Sequence, residues 1–476
     1  MLCFSQTTKR TSPTAKDTLQ GDPRQETING AIIPLARPLE QDAGVVQHVV
    51  DAKASPRVRR IQRTALTLLL LSGIVNYIDR ATLSIANPLI RHDLGLSIGE
   101  MGLLLSAFLW AYAFAQLPAG ALIDRFGARI MLTASLAMWS VAQAFGGVVN
   151  NFGQFFTARM ILGVGEAPQF PTSAKVVRDW FGKKERGTAT GIWNSSSTLG
   201  TAISAPLLTI IMLTVGWRWM FGIMGIAGLA LAGLFYLVHR DPNQAKLTQR
   251  EREYLSDGEE EVTARPTLRD WRRLFRFGTT WGMVLGFFGT IYVLWLYNAW
   301  LPTYLQMEHH FSIAKTGWVA AVPYLFGVLG SLSGGKVCDV LSKRGVSAIN
   351  SRKYPMSISL LGTSIFTVLT ALTHSATLAV IFISISMFLI YVSTSAAWAM
   401  ASVAAPANCT ASIGSMQNFG GYFGGALAPV ITGFIVQQFQ SFQPALFVGA
   451  GVAVMAVIGY WILVREPIPP MSLERE

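Results

Sequence analysis

An all-α membrane protein with twelve transmembrane helices in two six-helix bundles is the fold class that three observations predict. The first is composition. Of 476 residues, 51% are hydrophobic and 13% charged, with a mean hydropathy of +0.41, whereas a soluble chain of this length needs more charge to cover its surface. The second is the recurrence of apolar stretches of roughly 20 residues, the length that crosses a bilayer. The third is an internal repeat that relates the two halves.

The expected spans lie near 65–88, 100–122, 129–149, 153–177, 188–212 and 218–238, then near 277–303, 313–335, 355–373, 376–400, 409–434 and 443–465. Domains follow from them. Residues 1–60 are polar, without an apolar core at the start, and are expected to be a flexible cytoplasmic tail rather than a cleaved signal. Residues 61–238 and 277–465 form the two bundles, 239–276 a cytoplasmic central loop, and 466–476 a second cytoplasmic tail.

Net charge is +12, from 38 Lys and Arg against 26 Asp and Glu. The cations fall between the apolar stretches, which points to the lipid bilayer as a partner and away from nucleic acid. Arg57, Arg59, Arg60 and Arg63, then Arg125 and Arg129, then Lys183, Lys184 and Arg186 share one side with Arg240, Lys343, Arg344 and Arg352. The opposite side holds Arg91, Arg218 and Lys315. The excess marks the cytoplasmic side, so both termini are expected there. Cys3, Cys338 and Cys409 form no metal or redox pattern, and no nucleotide-binding glycine loop occurs, so neither a metal nor another cofactor is expected.

After span 2 the chain has GALIDRFGAR, and after span 8 GGKVCDVLSKRG. Gly335 and Asp339 stand 215 residues beyond Gly120 and Asp124, close to half of the folded part. Parallel six-helix repeats are one way to build a transporter with a site between its halves. Gly120, Asp124, Arg125, Gly127 and Arg129 resemble the signature loop of the major facilitator superfamily. NYIDRATLSIA, LLLSAFLWAYAFAQLPAG, ARMILGVGEAPQFPTSAKVVRDWF and KKERGTATGIWNSS are similar to its anion:cation symporter family, and within it to bacterial glucarate, galactarate and galactonate permeases. The resemblance covers about residues 62–465. It implies uptake of a sugar acid coupled to protons, a cell inner membrane location and a monomeric protein.

Charges inside the spans then gain meaning. An arginine at membrane depth is costly unless it faces protein or a water-filled cavity, so Arg80 requires an anionic companion. A guanidinium fork fits a carboxylate in bidentate fashion, and the resemblance gives Arg80 the substrate carboxylate. The alternative is a fixed ion pair between helices. Asp79 points away from Arg80, since adjacent helical residues diverge by ~100°. Burial favours a protonated carboxylate and a nearby arginine an ionised one, so its proton occupancy depends on its partner. Asp79 is therefore a proton carrier or a permanent counter-charge. Arg159 and Glu166, seven apart, share one face of span 4 and are too far apart to neutralise each other easily. A facing helix such as span 1 would supply the missing partners. By resemblance, Glu166 is the proton site coupled to substrate and Arg159 its charge partner.

Asn76, Tyr77, Tyr112, Gln116, Asn194, Ser197, Tyr292, Trp295, Asn298, Trp398, Gln417 and Asn418 offer hydroxyls, amides and indole N–H groups to a polyhydroxylated chain. Each alone could instead be a packing residue. The related permeases carry a glutamine where this chain has Ser197, which opens shorter or different acids: an aromatic carboxylate, a hexuronate, tartrate or a sulfonate. Gly120, Asp124, Arg125, Gly127 and Arg129, with Asp339 as the weaker counterpart, are expected to gate the conformational change. A tight turn without switching is the alternative. The function this supports is proton-coupled import of an organic anion, not catalysis. A membrane receptor or scaffold is the rival class, and the charges on spans 1 and 4 argue against it.

Overall fold

The computed structural model describes residues 54–256, 272–405 and 409–469. It is all-α and multi-spanning. The helices are α1 (Pro56–Leu94), α2 (Ile98–Phe145), α3 (Phe152–Glu166), α4 (Gln169–Trp180), α5 (Lys183–Val238), α6 (Gln249–Ser256), α7 (Gly278–Met307), α8 (Ile313–Val319), α9 (Ala321–Lys343), α10 (Asn350–Leu372), α11 (Ala376–Ala404), α12 (Thr410–Phe439) and α13 (Gln443–Leu463).

Local chemistry sets several ends. Ser55 caps α1 by accepting from Val58 N, and Pro56 supplies a first residue that has no N–H to satisfy. α1 stops at Gly95, with φ 65°, and α2 starts at Ile98 behind a capping box between Ser97 and Glu100. α1 thus begins inside the stretch expected to be tail. The rest of that tail expectation, residues 1–53, lies outside the described residues, as do 257–271 of the central loop and 470–476.

Among the described residues, nine helical segments are long and apolar enough to cross a membrane, against twelve expected spans. The other three correspond to expected spans 3, 4 and 6. Spans 2 and 3 run together as the 48-residue α2, broken at Gly127 (φ 80°, ψ 164°). Spans 5 and 6 run together as the 56-residue α5, broken at Gly216 (φ 84°, ψ 163°). Both breaks fall in the expected connections, and both need backbone that glycine tolerates best. Span 4 is divided between α3 and α4, 15 and 12 residues long, each too short to cross alone.

α1 packs on α5, α2 on α3, α5 and α12, α7 on α12 and α13, and α11 on α9 and α10. One buried apolar cluster lies among α1 to α5, and a larger one joins α7 to α13 with the Ile85 to Leu105 region. The first and second halves of the chain touch closely at one end. Gly99 N donates to Gln437 Oε1 at 2.8 Å, Ser106 Oγ to Ala426 O at 2.6 Å, and Ser84 Oγ to Ala299 O at 2.8 Å. A Cβ on Gly102 would stand 2.6 Å from Pro429 O, so small residues permit this approach. At the other end a Cβ on Gly120, Gly191 or Gly335 would meet nothing within 4 Å among the described residues.

Candidate functional site

The site is built on three helices of the first half. α1 carries Asn76, Tyr77, Asp79 and Arg80, α2 carries Phe108, Tyr112 and Gln116, and α3 carries Arg159 and ends on Glu166. Arg80 Nε donates to Glu166 Oε2 at 2.7 Å, with side chains 6% and 0% exposed. The Arg80 guanidinium also lies 4.9 Å from the ring centre of Tyr77 and 5.0 Å from those of Phe108 and Tyr112. Ring faces favour a cation, most of all where water is excluded.

Asp79 turns to the other side of α1, as its one-residue offset requires. Glu166 and Arg159 are the charges that act on it, and the Trp139 indole stands beside it. Neither Asp79 oxygen has a hydrogen-bond partner among the described residues, nor do Glu166 Oε1, Arg80 Nη2, Arg159 Nε and Nη1, or either amide atom of Asn76. Arg159 lies 5.4 Å from the Phe108 ring. Two carboxylates and two guanidiniums therefore form one buried, formally neutral group with unused bonding capacity. Groups left so are costly to bury.

The surrounding polar residues divide. Tyr77, Arg80, Trp295 and Asn298 line a cavity of about 50 Å³, together with Ser84, Thr201, Ser204 and Tyr324. Asn418 Nδ2 donates to Gln116 Oε1 at 3.3 Å, and Gln116 Nε2 donates to Tyr112 Oη at 3.0 Å, a chain from the second half to the ring beside Arg80. Ser197 lies next to Tyr77 and donates to Asn194 O at 2.8 Å. Among the described residues, no hydrogen bond or ring contact joins Asn194, Tyr292, Trp398 or Gln417 to the charged group. Asn194 is exposed, Trp398 is 47% exposed, and Gln417 Nε2 donates to Ala397 O at 3.2 Å.

Sequence reasoning missed Tyr422, whose ring centre lies 4.7 Å from that of Tyr112, and Tyr324 on the cavity wall. Tyr422 follows Asn418 by one helical turn, and that spacing was the available signal. It missed Trp139 beside Asp79 for want of any sequence cue.

In the signature loop, Arg129 is anchored within its own half. Its backbone N–H donates to Asp241 Oδ1 at 3.2 Å, its Nη2 to Tyr236 O at 2.7 Å, and its guanidinium covers the Tyr236 ring at 4.2 Å. Asp241 also stands where a Cβ on Gly127 would project, 2.5 Å away. Arg125, Asp339 and Gly120 are exposed, and a Cβ on Gly120 would meet none of the described atoms within 4 Å. The Asp124 side chain lies outside the described ones. No three His, Cys, Asp or Glu side chains gather to hold a metal among the described residues.

Residues 69–429 match the family model of the Major Facilitator Superfamily. The chain belongs to this superfamily. It is 41% identical over 454 residues to a protein of Escherichia coli (strain K12) named "Probable L-galactonate transporter", covering 95% of this chain and 98% of that one. It is 33% identical over 429 residues to a "Probable galactarate/D-glucarate transporter" of the same strain, covering 86% and 96%. Among solved structures it resembles a bacterial homologue of the human lysosomal transporter Spinster, with TM-score 0.72 and 18% identity over 86% of this chain and 99% of that one. The superfamily member described here is a bacterial multi-pass membrane protein of non-enzymatic function.

Proposed function

We propose that this superfamily member is a proton-coupled symporter of the anion:cation type that imports a sugar acid, of the galactonate, glucarate or galactarate class, by alternating access. The observation that carries this reading is the buried Arg80–Glu166 pair, 2.7 Å apart, in a cluster whose other charges have bonding capacity to spare. The names of the 41% and 33% identical relatives support the substrate class.

In this reading, twelve helices form bundles at 61–238 and 277–465, monomeric, with both termini in the cytoplasm. Contact at the Gly99 end, with no described atom within 4 Å of a Cβ at Gly120 or Gly335, supports reading the present state as open to the cytoplasm. An incoming carboxylate takes the Arg80 fork. Glu166, deprived of its cation in an apolar site, is then neutralised by a proton. Asp79 and Arg159 carry the proton onward and balance it. Asn76, Tyr77, Tyr112, Gln116, Ser197, Trp295, Asn298 and Asn418 hold the hydroxyls, with Asn194, Tyr292, Trp398 and Gln417 joining as the halves rock. Gly120, Asp124, Arg125, Gly127, Arg129 and Asp339 gate that motion. The cavity beside Arg80 is below the ~300 Å³ of ordinary ligand pockets, so loading widens it.

The test is uptake into proteoliposomes of galactonate, glucarate, galactarate, glucuronate, tartrate, phthalate and sulfoacetate. Acidifying the outer solution is expected to drive accumulation of a sugar acid. Entry of none of them by folded, oriented protein overturns the substrate class, and uptake indifferent to the pH gradient overturns the coupling.

A further inference from the structure

A second cavity lies well apart from the charged cluster, at the end of the molecule where the Lys- and Arg-rich connections gather. It encloses about 400 Å³ between the first turns of α1 and the chain that leaves α5. Arg57, Arg60, Arg240 and Lys246 stand around it, and no carboxylate is among the described residues that line it. Arg57 and Arg240 each also serve a neighbour: Arg57 lies 3.9 Å from Glu251 and donates to Lys246 O at 2.7 Å, and Arg240 donates to Tyr236 O at 2.9 Å.

Four cations around one cavity suit an anion with several acceptor oxygens. The remainder of the wall is apolar: Ile61, Ala65, Leu68 and Val238. Leu234 and Leu237, on the same last turns of α5 as Val238, are 46% and 70% exposed.

We propose that this cavity binds the headgroup of an anionic phospholipid from the leaflet on the positive side, its phosphate among Arg57, Arg60, Arg240 and Lys246 and its acyl chain along Val238 and Leu237. A free phosphate has no use for the apolar wall, whereas a lipid fills both parts. The site joins α1 to the segment after α5, so an occupied site ties the two together. The proposal does not depend on which solute the protein carries.

The experiment uses the full chain in neutral detergent, with lipids counted by native mass spectrometry and unfolding followed thermally. The probes are phosphatidylglycerol, phosphatidylcholine and inorganic phosphate. Arg60 and Lys246 are replaced together by Gln, since the side chain of neither makes a described hydrogen bond. Phosphatidylglycerol is expected to be retained and to raise Tm, phosphatidylcholine and phosphate to do neither. The double variant should lose roughly 25-fold in affinity, about 5-fold for each charge near an anionic surface. Equal retention of the two lipids, unchanged affinity in the variant, or full stabilisation by phosphate alone overturns the proposal. If the double variant does not fold, Arg60→Gln alone decides: an affinity about 5-fold lower supports the site, and an unchanged one overturns it.

Discussion

Arg80 and Glu166, 86 residues apart in sequence, meet at 2.7 Å between α1 and α3. The Arg80 side chain that forms the pair also lies beneath three aromatic rings, so the guanidinium is held in place whichever carboxylate it binds.

Replacing Arg80 with Lys keeps a charge but loses the planar fork and the ring contacts. Binding of the transported acid is expected to weaken by about 10- to 150-fold, the worth of a charge-assisted hydrogen bond. Arg80→Ala should abolish it and lower stability by about 3–5 kcal/mol by leaving Glu166 buried without its cation. Titration calorimetry and thermal unfolding of the purified variants check both.

The close approach at Gly102 is expected to be necessary for the end that carries Gly99 and Gln437 to shut. Gly102→Leu would drive a side chain into Pro429 and Gly433. A Ser84→Cys thiol, buried in the present state, should then react faster with a membrane-impermeant maleimide. An unchanged rate would show that the halves accommodate the leucine.

Gly127 has φ 80° and faces Asp241. Gly127→Ala is expected to cost about 1–3 kcal/mol through backbone strain, seen as a lowered Tm. Asp241→Ala should loosen the same corner by freeing the Arg129 N–H, and adding it to Gly127→Ala should cost less than the sum of the two.

The central-loop helix α6 is docked on the start of α1 through the Ser55–Glu251 contact, and this docking is expected to depend on pH. The Ser55 hydroxyl, then the Thr248 backbone N–H, hold the Glu251 carboxyl below the usual glutamate range. A carboxyl so depressed stabilises the docked form above its ordinary pKa of about 4.3, and the contribution is lost as pH falls through the lower folded value. Amide protection in α6, corrected for intrinsic exchange rates, should fall between pH 7 and 3. Glu251→Gln should flatten that dependence.

Much of this was legible in sequence. Apolar stretches located the helices, and Gly127 and Gly216 fall where connections were expected between spans. The charges of spans 1 and 4 were legible because the membrane interior makes any ionised residue conspicuous. Their partners were less so: a seven-residue spacing placed Arg159 and Glu166 on one face, but only packing pairs Glu166 with Arg80 and brings Arg159 near Asp79. Neutral aromatic residues such as Tyr422 and Trp139 resemble ordinary membrane packing; a spacing of one helical turn from Asn418 hinted at Tyr422, whereas the place of Trp139 emerges only from geometry. Asp241 was hidden for a different reason. Its role depends on a turn 112 residues away.

If Glu166 and the substrate carboxylate compete for Arg80, the pH dependence of substrate binding to Glu166→Gln will reveal it. With the competing carboxylate neutral, the variant should bind the acid at least as tightly as the wild type and lose most of the pH dependence, while no longer accumulating it down a proton gradient. Binding that falls in Glu166→Gln as it does in Arg80→Ala, or a pH dependence that persists unchanged, would contradict the account.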